Sequence, residues 1–165
     1  MSERHAVAVR RARPEDLEAV GEITVAAYAE FTEGPEDGYI ALLGDAARRD
    51  REAELWVAEI DGVVVGSVTI APLGSAWREI AADDEGEFRM LSVSPTARRR
   101  GVGDALARLV DDHFRDLGCR GIVLSSLAQM TSAHRIYERL GYHRVPERDW
   151  SPAPGVDLLA FAKEL

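Results

Sequence analysis

The spacing of apolar residues along the chain changes repeatedly between two periods, which predicts a mixture of helices and strands. Residues 102–117 carry apolar side chains at steps of three and four, as in an amphipathic helix, and Gly118 follows where that helix would stop. The same pattern predicts a helix over residues 131–141. Two further helices are predicted, from Pro14 to about residue 31 and from Tyr39 to about residue 53.

Short runs of β-branched and other apolar residues predict the strands. The clearest is a hairpin over residues 55–72, whose two halves flank Asp61-Gly62, a favoured two-residue turn. The other predicted strands cover residues 6–12, 87–93, 121–127 and 157–165, and residues 74–86 read as an exposed acidic loop. Because helices and strands alternate in the second half, we expect a mixed α/β layer fold. No repeat or long linker interrupts the pattern, so we expect one domain over residues 1–165.

Composition narrows the classes of function. The formal net charge is −9, from 20 basic and 29 acidic residues, which argues against a nucleic-acid partner and suits a cationic small molecule or basic peptide. No apolar stretch approaches ~20 residues, and the N-terminus lacks the apolar centre of a secretory signal. Cys119 has no partner for an internal disulfide, and no Cys/His cluster has metal-ligand spacing. We therefore expect a cytoplasmic, metal-free protein with no membrane partner.

The stretch SVSPTARRRGVGDAL, residues 92–106, places three arginines and two glycines where a strand is followed by a helix. The first amides of a helix have no internal partner, and Gly101 and Gly103 would let a ligand approach them closely. Arg98 to Arg100 could pair with phosphate oxygens. A solvated basic turn that only caps the helix is the alternative. The turn has neither the lysine of a P-loop nor the third glycine of a dinucleotide-binding motif.

These residues resemble the GNAT superfamily of acetyl-CoA-dependent N-acetyltransferases. Arg98-x-x-Gly101-x-Gly103 matches the signature of that family, and the helix ending AHRIYERLGY is similar to its Ala-x-x-x-Tyr-x-x-x-Gly-Phe/Tyr. The resemblance covers essentially the whole chain. It implies a mixed, mostly antiparallel central sheet of six to seven strands with about four helices, in the order β-α-α-β-β-β-α-β-α-β.

The resemblance also implies how acetyl-CoA would be held. The amides from Arg99 to Asp104 would hold its pyrophosphate, and the backbones of Leu91 and Val93 would pair with its pantetheine arm. The Leu91 amide would polarise the thioester carbonyl. The implied cofactor-binding residues are Leu91, Ser92, Val93, Arg98, Arg99, Arg100, Gly101, Val102, Gly103, Asp104 and Ser132. The family often has an asparagine seven residues before its tyrosine, where this chain has Met130.

Two catalytic side chains follow from the same resemblance. Tyr137 matches the position of a general acid that protonates the departing thiolate, although a tyrosine on an apolar helix face can also serve only for packing. Glu87 lies at the offset of a general-base glutamate and would take the proton of the amine directly or through water. Its alternative is an exposed residue that continues the acidic run before it.

The predicted function is transfer of acetyl from acetyl-CoA to a primary amine by direct attack in a ternary complex. Tyr28, Phe31 and Tyr39 are the predicted acceptor-binding residues, together with the loop over residues 74–86. The acceptor could be a small cationic amine or a protein amine, and the chain could form a homodimer. Two alternatives remain: a non-catalytic acyl-CoA-binding or sensor module on the same fold, and an anion-binding regulatory domain that contacts RNA or a nucleotide.

Overall fold

The structure, a computed structural model, describes residues 6–29 and 38–165, apart from the side chains of Tyr39 and Ser132. Its strands are β1 (Ala8–Arg11), β2 (Glu54–Ile60), β3 (Val63–Ala71), β4 (Glu85–Val93), β5 (Gly121–Leu127), β6 (His143–Arg144), β7 (Trp150–Ala153) and β8 (Val156–Glu164). Its helices are α1 (Leu17–Tyr28), α2 (Gly38–Gly44), α3 (Ala46–Glu52), α4 (Val102–Asp116) and α5 (Thr131–Arg139). The chain divides into two compact units, Met1–Ile70 with Met90–Leu109, and Ala71–Arg89 with Val110–Leu165.

The first unit pairs its strands in the order β1-β2-β3-β4. β1 and β2 are antiparallel, as are β2 and β3. The turn between β2 and β3 has left-handed φ values at both central residues, 53° at Asp61 and 78° at Gly62, as a two-residue hairpin requires. The core of this unit includes Val20, Leu55 and Val57, all fully buried.

β3 and the start of α4 approach each other closely in the first unit because Gly66 has no side chain. A Cβ at this position would lie 2.7 Å from Cγ1 of Val102 and 2.9 Å from the Ser92 carbonyl oxygen. Val102 and Leu106 are buried on this side of α4. The glycine thus fixes where α4 begins above the sheet.

The second unit pairs its strands in the order β4-β5-β8-β6, with β7 also on β8. β5 is parallel to β4 and antiparallel to β8. An aromatic cluster formed by Phe88, Tyr137, Tyr142 and Phe161 fills one side of this unit, with ring centroids about 6 Å apart. Phe114 of α4 packs against Gly86, whose missing side chain leaves room for the ring.

The predicted mixed, mostly antiparallel fold is confirmed, and the differences are local. The described residues contain eight strands where six or seven were expected, because the short strands β6 and β7 pair with β8. They contain five α-helices where about four were expected. The predicted second helix is two, α2 and α3, because the Asp45 side chain accepts a hydrogen bond from the Arg48 amide and caps a new helix. That one domain spans the chain stays a prediction.

Candidate functional site

The turn between β4 and α4, within the first unit, places backbone amides ahead of the first hydrogen bond of the helix. After a 3-10 turn at Pro95–Ala97, Arg99 has a left-handed φ of 65° and Gly101 one of 82°. The first helical bond runs from the Ala105 amide to the Gly101 carbonyl, 3.0 Å. The amides of Val102 and Gly103 therefore precede the helix's own hydrogen bonding.

The surface of this turn is open and basic. Arg98, Arg99, Arg100 and Gly101 are all exposed. A Cβ placed on Gly101 would meet no atom within 4 Å, so the backbone conformation, and not crowding, is what favours glycine there. Amides with no helical partner, the positive end of the α4 dipole and three arginines together make an environment suited to phosphate oxygens.

The end of β4 turns two of its amides away from β3. The Ser94 amide donates to the Val65 carbonyl of β3, 2.8 Å. Since amides alternate in direction along a strand, those of Leu91 and Val93 face the other edge of β4. The Ser92 side chain is buried and donates to the Met90 carbonyl, 3.2 Å, so its hydroxyl is used within the strand.

β4 departs from regular geometry near its middle. It pairs with β5 only from Glu85↔Gly121 to Glu87↔Val123, whereas β5 pairs with β8 over all seven of its residues. Further along β4, Met90 has a left-handed φ of 54°, which is uncommon for a residue with a side chain. Sequence reasoning missed this feature, because nothing in the local residue types marks Met90 as a turn residue.

Tyr137 lies on α5 in the second unit, with its ring inside the aromatic cluster. Its ring centroid is 6.2 Å from that of Phe88 and 5.9 Å from that of Phe161. Burial raises the pKa of Tyr137 to about 12. The phenol is therefore neutral and able to donate throughout the physiological pH range. The structure accounts for the ring by packing, and the role of the hydroxyl stays a prediction.

Glu87 is fully buried, although its position at a predicted strand start could equally have left it exposed. Its carboxylate accepts hydrogen bonds from three successive amides of the loop before β4. The Glu79 amide is 3.0 Å from both oxygens, and the Ile80 and Ala81 amides are 3.0 Å and 2.9 Å from Oε1. Its predicted role as general base stays a prediction.

Arginines brace the acidic end of the same loop. Arg148 donates to both oxygens of the buried Glu85, at 3.0 Å and 2.8 Å, and Arg120 pairs with Asp84. Burial alone would raise the pKa of Glu85, but the hydrogen bonds from Arg148 and the Ala82 amide outweigh it and hold this pKa below its ordinary value. The loop predicted to be exposed and acidic is therefore held at its C-terminal end by these two arginines.

The loop also brings together three residues that sequence reasoning missed. The Arg89 guanidinium lies 3.1 Å from the Glu79 carboxylate and 5.2 Å from the centroid of the Trp77 ring. Burial raises the pKa of Glu79, and the charge of Glu87 adds to this, while Arg89 opposes it. Only one signal was available in the sequence: Arg89 is two residues from Glu87 and so on the same face of a strand.

The predicted acceptor residues are only partly described. Tyr28 is buried in α1, and Tyr39 lies in α2 with its side chain outside the described atoms. Phe31 lies outside the described residues, and of Ser132 only the position in the first turn of α5 is described.

Within the described ranges, no three His, Cys, Asp or Glu side chains form a group that could hold a metal ion. In the same ranges, no helix combines the length and apolar character needed to cross a bilayer.

Comparison with known proteins agrees with these observations. The chain is 33% identical over 170 residues to a mycothiol acetyltransferase of Cellulomonas flavigena, covering 93% of this chain and 47% of that protein. The chain spans about a third to a half of the length of the curated relatives that it matches.

Two solved structures share the fold. One is a GNAT-family acetyltransferase from Staphylococcus aureus Mu50, with a TM-score of 0.74, 15% identity and coverage of 97% of this chain and 99% of that one. The other is the PaiA N-acetyltransferase from Thermoplasma acidophilum in complex with coenzyme A, with a TM-score of 0.70, 17% identity and coverage of 97% of this chain and 99% of that one.

Residues 17–142 match the sequence model described as the acetyltransferase (GNAT) family. The chain therefore belongs to the GNAT acetyltransferase family.

Proposed function

We propose that this protein transfers the acetyl group of acetyl-CoA to a primary amine by direct attack in a ternary complex. The observation that carries the proposal is the turn after β4, where the exposed residues Arg98 to Gly101 lead directly into the Val102 and Gly103 amides that precede the hydrogen bonding of α4. Acetyl-CoA would supply an activated acyl group on a thioester, carried on a diphosphate-bearing nucleotide. The turn offers the donors that such a diphosphate needs.

The residues present fit this cosubstrate at two places on the first unit. The amides from Arg99 to Asp104 would hold the pyrophosphate oxygens, because the left-handed Arg99 and Gly101 keep the turn open. The amides of Leu91 and Val93 face away from β3 and would bind the amide-containing arm as a neighbouring strand would. The Leu91 amide would polarise the thioester carbonyl.

Proton handling falls to side chains of the second unit. A primary amine has a pKa near ~10 and is mostly protonated at neutral pH, so a base must remove a proton before the nitrogen can attack. The sequence predicts a carboxylate, Glu87, for this step. The Tyr137 hydroxyl, neutral because burial raises its pKa to about 12, would donate to the leaving sulfur.

The acceptor class follows from charge and remains broad. A net charge of −9 favours a cationic amine, and Tyr28, Phe31 and Tyr39 are the proposed acceptor-binding residues. A cytoplasmic location and homodimer formation belong to the same proposal, and size-exclusion chromatography with light scattering would test the dimer.

The test is release of free thiol from acetyl-CoA with a panel of amines, run beside calorimetry of CoA binding. The panel contains putrescine, ethanolamine, L-aspartate, a peptide with a free α-amine and a peptide whose only amine is a lysine side chain. We expect CoA to bind and at least one amine to accelerate thiol release. CoA binding with no amine-dependent release would favour the acyl-CoA sensor instead, and equal binding of CoA and ATP would favour the nucleotide-binding alternative.

Gly101→Glu and Gly62→Glu form a matched pair for the turn. Both glycines have left-handed φ values, 82° and 78°, and at both positions an added Cβ would meet nothing within 4 Å. The strain and the added charge are therefore alike, but only Gly101 lies at the proposed diphosphate site. We expect Gly101→Glu to abolish CoA binding and Gly62→Glu to preserve it. CoA binding that survives Gly101→Glu would refute the proposed site.

A further inference from the structure

The Glu87 carboxylate holds the loop before β4 in place. Both oxygens accept backbone hydrogen bonds, through four N–H···O contacts of 2.9–3.0 Å from the amides of Glu79, Ile80 and Ala81. The side chain is 0% exposed. Such a group is well placed to anchor a loop, and its burial leaves it poorly placed to meet a substrate amine.

The anchored loop carries a second carboxylate that is placed differently. Glu79 gives its amide to Glu87, while its own side chain reaches Nε of Arg89 at 3.1 Å and stays 16% exposed. The Arg89 guanidinium lies over the Trp77 ring, whose centroid is 5.2 Å away, and this contact limits where the guanidinium can move. Glu79 is thus held at both ends: its backbone by Glu87, and its carboxylate by Arg89.

The pair of Glu79 and Arg89 can be located along β4 from the position of Arg89. Registered pairing of β4 with β5 ends at Glu87↔Val123, and Arg89 is two residues further on. Leu91, whose amide is proposed for the thioester carbonyl, follows after two more residues in the sequence. Of the two carboxylates, Glu79 is the one that solvent reaches at this stretch of the strand.

We propose that Glu79 takes the proton from the ammonium group of the acceptor, and that Glu87 is a positioning residue that holds Glu79 in place. This inference rests on the proposed acetyl transfer and assigns its base. One proton passes from the nitrogen to the Glu79 carboxylate and then to water. The N–C bond forms as the C–S bond breaks, and the second proton lost by the nitrogen balances the one that the sulfur gains.

The charges around Glu79 suit this role. Burial raises its pKa, the charged Glu87 raises it further, and the opposing Arg89 keeps it from rising too far. A carboxylate whose pKa is raised toward the working pH is a stronger base than an ordinary exposed one. Because the base acts in its deprotonated form, activity should rise with pH through the pKa of Glu79 and level off above it.

The experiment measures kcat/KM against pH for thiol release, with acetyl-CoA and the fastest amine of the panel, in five proteins. They are the wild type, Glu79→Gln, Glu79→Asp, Glu87→Gln and the control Asp116→Asn, which changes an exposed acid at the end of α4, outside the residues assigned to the site. We expect Glu79→Gln to lose about 100-fold or more and to lack the acid-side limb of the profile. Glu79→Asp should recover part of the rate, and Asp116→Asn should match the wild type.

Glu87→Gln separates positioning from catalysis. We expect it to speed hydrogen exchange at the amides of residues 79–81 and to lower the rate, while the acid-side limb persists because Glu79 still titrates. Calorimetry should show that Glu79→Gln binds CoA like the wild type.

Two outcomes would overturn the inference. If Glu79→Gln keeps the acid-side limb while Glu87→Gln loses it, Glu87 is the base and the assignment is reversed. If every variant keeps the limb, neither carboxylate takes the proton. Absence of CoA binding and of turnover in the wild type would instead overturn the proposed function and, with it, this inference.

Discussion

Replacing Tyr137 by Phe removes one hydroxyl and keeps the ring that the aromatic cluster needs. The ring contacts of Tyr137 with Phe88, Tyr142 and Phe161 are edge or tilted packings, and phenylalanine can make all of them. We therefore expect little change in folding stability. Any loss of activity then reports on the hydroxyl alone.

The size of the loss follows from the pKa of the phenol. Burial raises the pKa of Tyr137 to about 12, whereas an ordinary thiol has a pKa of about 8.5. Complete transfer of the phenolic proton to a departing thiolate is therefore uphill by roughly 3.5 pKa units, or about 5 kcal/mol. We infer that Tyr137 acts mainly by donating a hydrogen bond to the developing charge. Such a bond contributes about 1.5–3 kcal/mol, so Tyr137→Phe should slow turnover about 10- to 150-fold.

The assay is thiol release at saturating acetyl-CoA and amine, from pH 6 to pH 9.5, with Tyr142→Phe as the matched control. Tyr142 lies in the same cluster and is buried, and its hydroxyl has no hydrogen-bond partner within the described part of the chain. Its replacement by Phe should leave the rate unchanged. Because the Tyr137 phenol stays protonated across this range, it should produce no falling limb in the wild-type profile.

Two results would refute this reasoning. A Tyr137→Phe rate within about threefold of the wild-type rate would show that the hydroxyl does not act on the leaving group. A falling limb below pH 9.5 that disappears in Tyr137→Phe would show that the phenol titrates far below the pKa its burial gives it.

Three further predictions concern stability and cosubstrate affinity. Gly86→Ala should lower the free energy of unfolding by about 1–3 kcal/mol in urea titrations, because its Cβ would lie 2.3–2.4 Å from atoms of the Phe114 ring. An unchanged midpoint would show that the ring has room to move. Asp149→Asn should destabilise the protein above about pH 4 and progressively less as the pH falls toward 2. Hydrogen bonds from Arg144 lower the pKa of Asp149 to about 2, so the stabilisation that the carboxylate contributes is lost as pH falls through that value. A gap between the urea midpoints of the wild type and the variant that does not narrow at low pH would contradict this. Arg100→Gln should weaken CoA binding, measured by calorimetry, up to about fivefold in dilute buffer and hardly at all in 1 M salt. The reason is that an ion pair between the exposed Arg100 and a phosphate of CoA is weak and is screened by salt. Equal weakening at both salt concentrations would argue against a charge contact.

The parts of the fold that could be predicted from the sequence are those fixed by neighbouring residues. The Asp61-Gly62 turn and the helix predicted over residues 102–117 are found nearly as expected, with α4 at Val102–Asp116. β6 and β7 could not be predicted, because strands of two and four residues exist only through their pairing with β8. Their stability is a property of contacts distant in sequence.

The same division applies to the candidate site. The turn after β4 could be predicted because glycine and arginine at a strand–helix junction indicate a phosphate-binding turn from the local sequence alone. The left-handed Met90 could not, since a methionine gives no sign that its backbone will leave the β region.

Glu87 shows how much a family resemblance leaves open about the role of a residue. The resemblance gives only residue type and offset, and both are satisfied here. What the sequence does not contain is the path of the loop before β4, whose amides at Glu79, Ile80 and Ala81 converge on the carboxylate. Four contacts of 2.9–3.0 Å occupy both oxygens of the buried Glu87, which is why we propose the nearby Glu79 as the proton acceptor. A general base is therefore better identified by the lone pairs that the fold leaves unused than by its position in a motif.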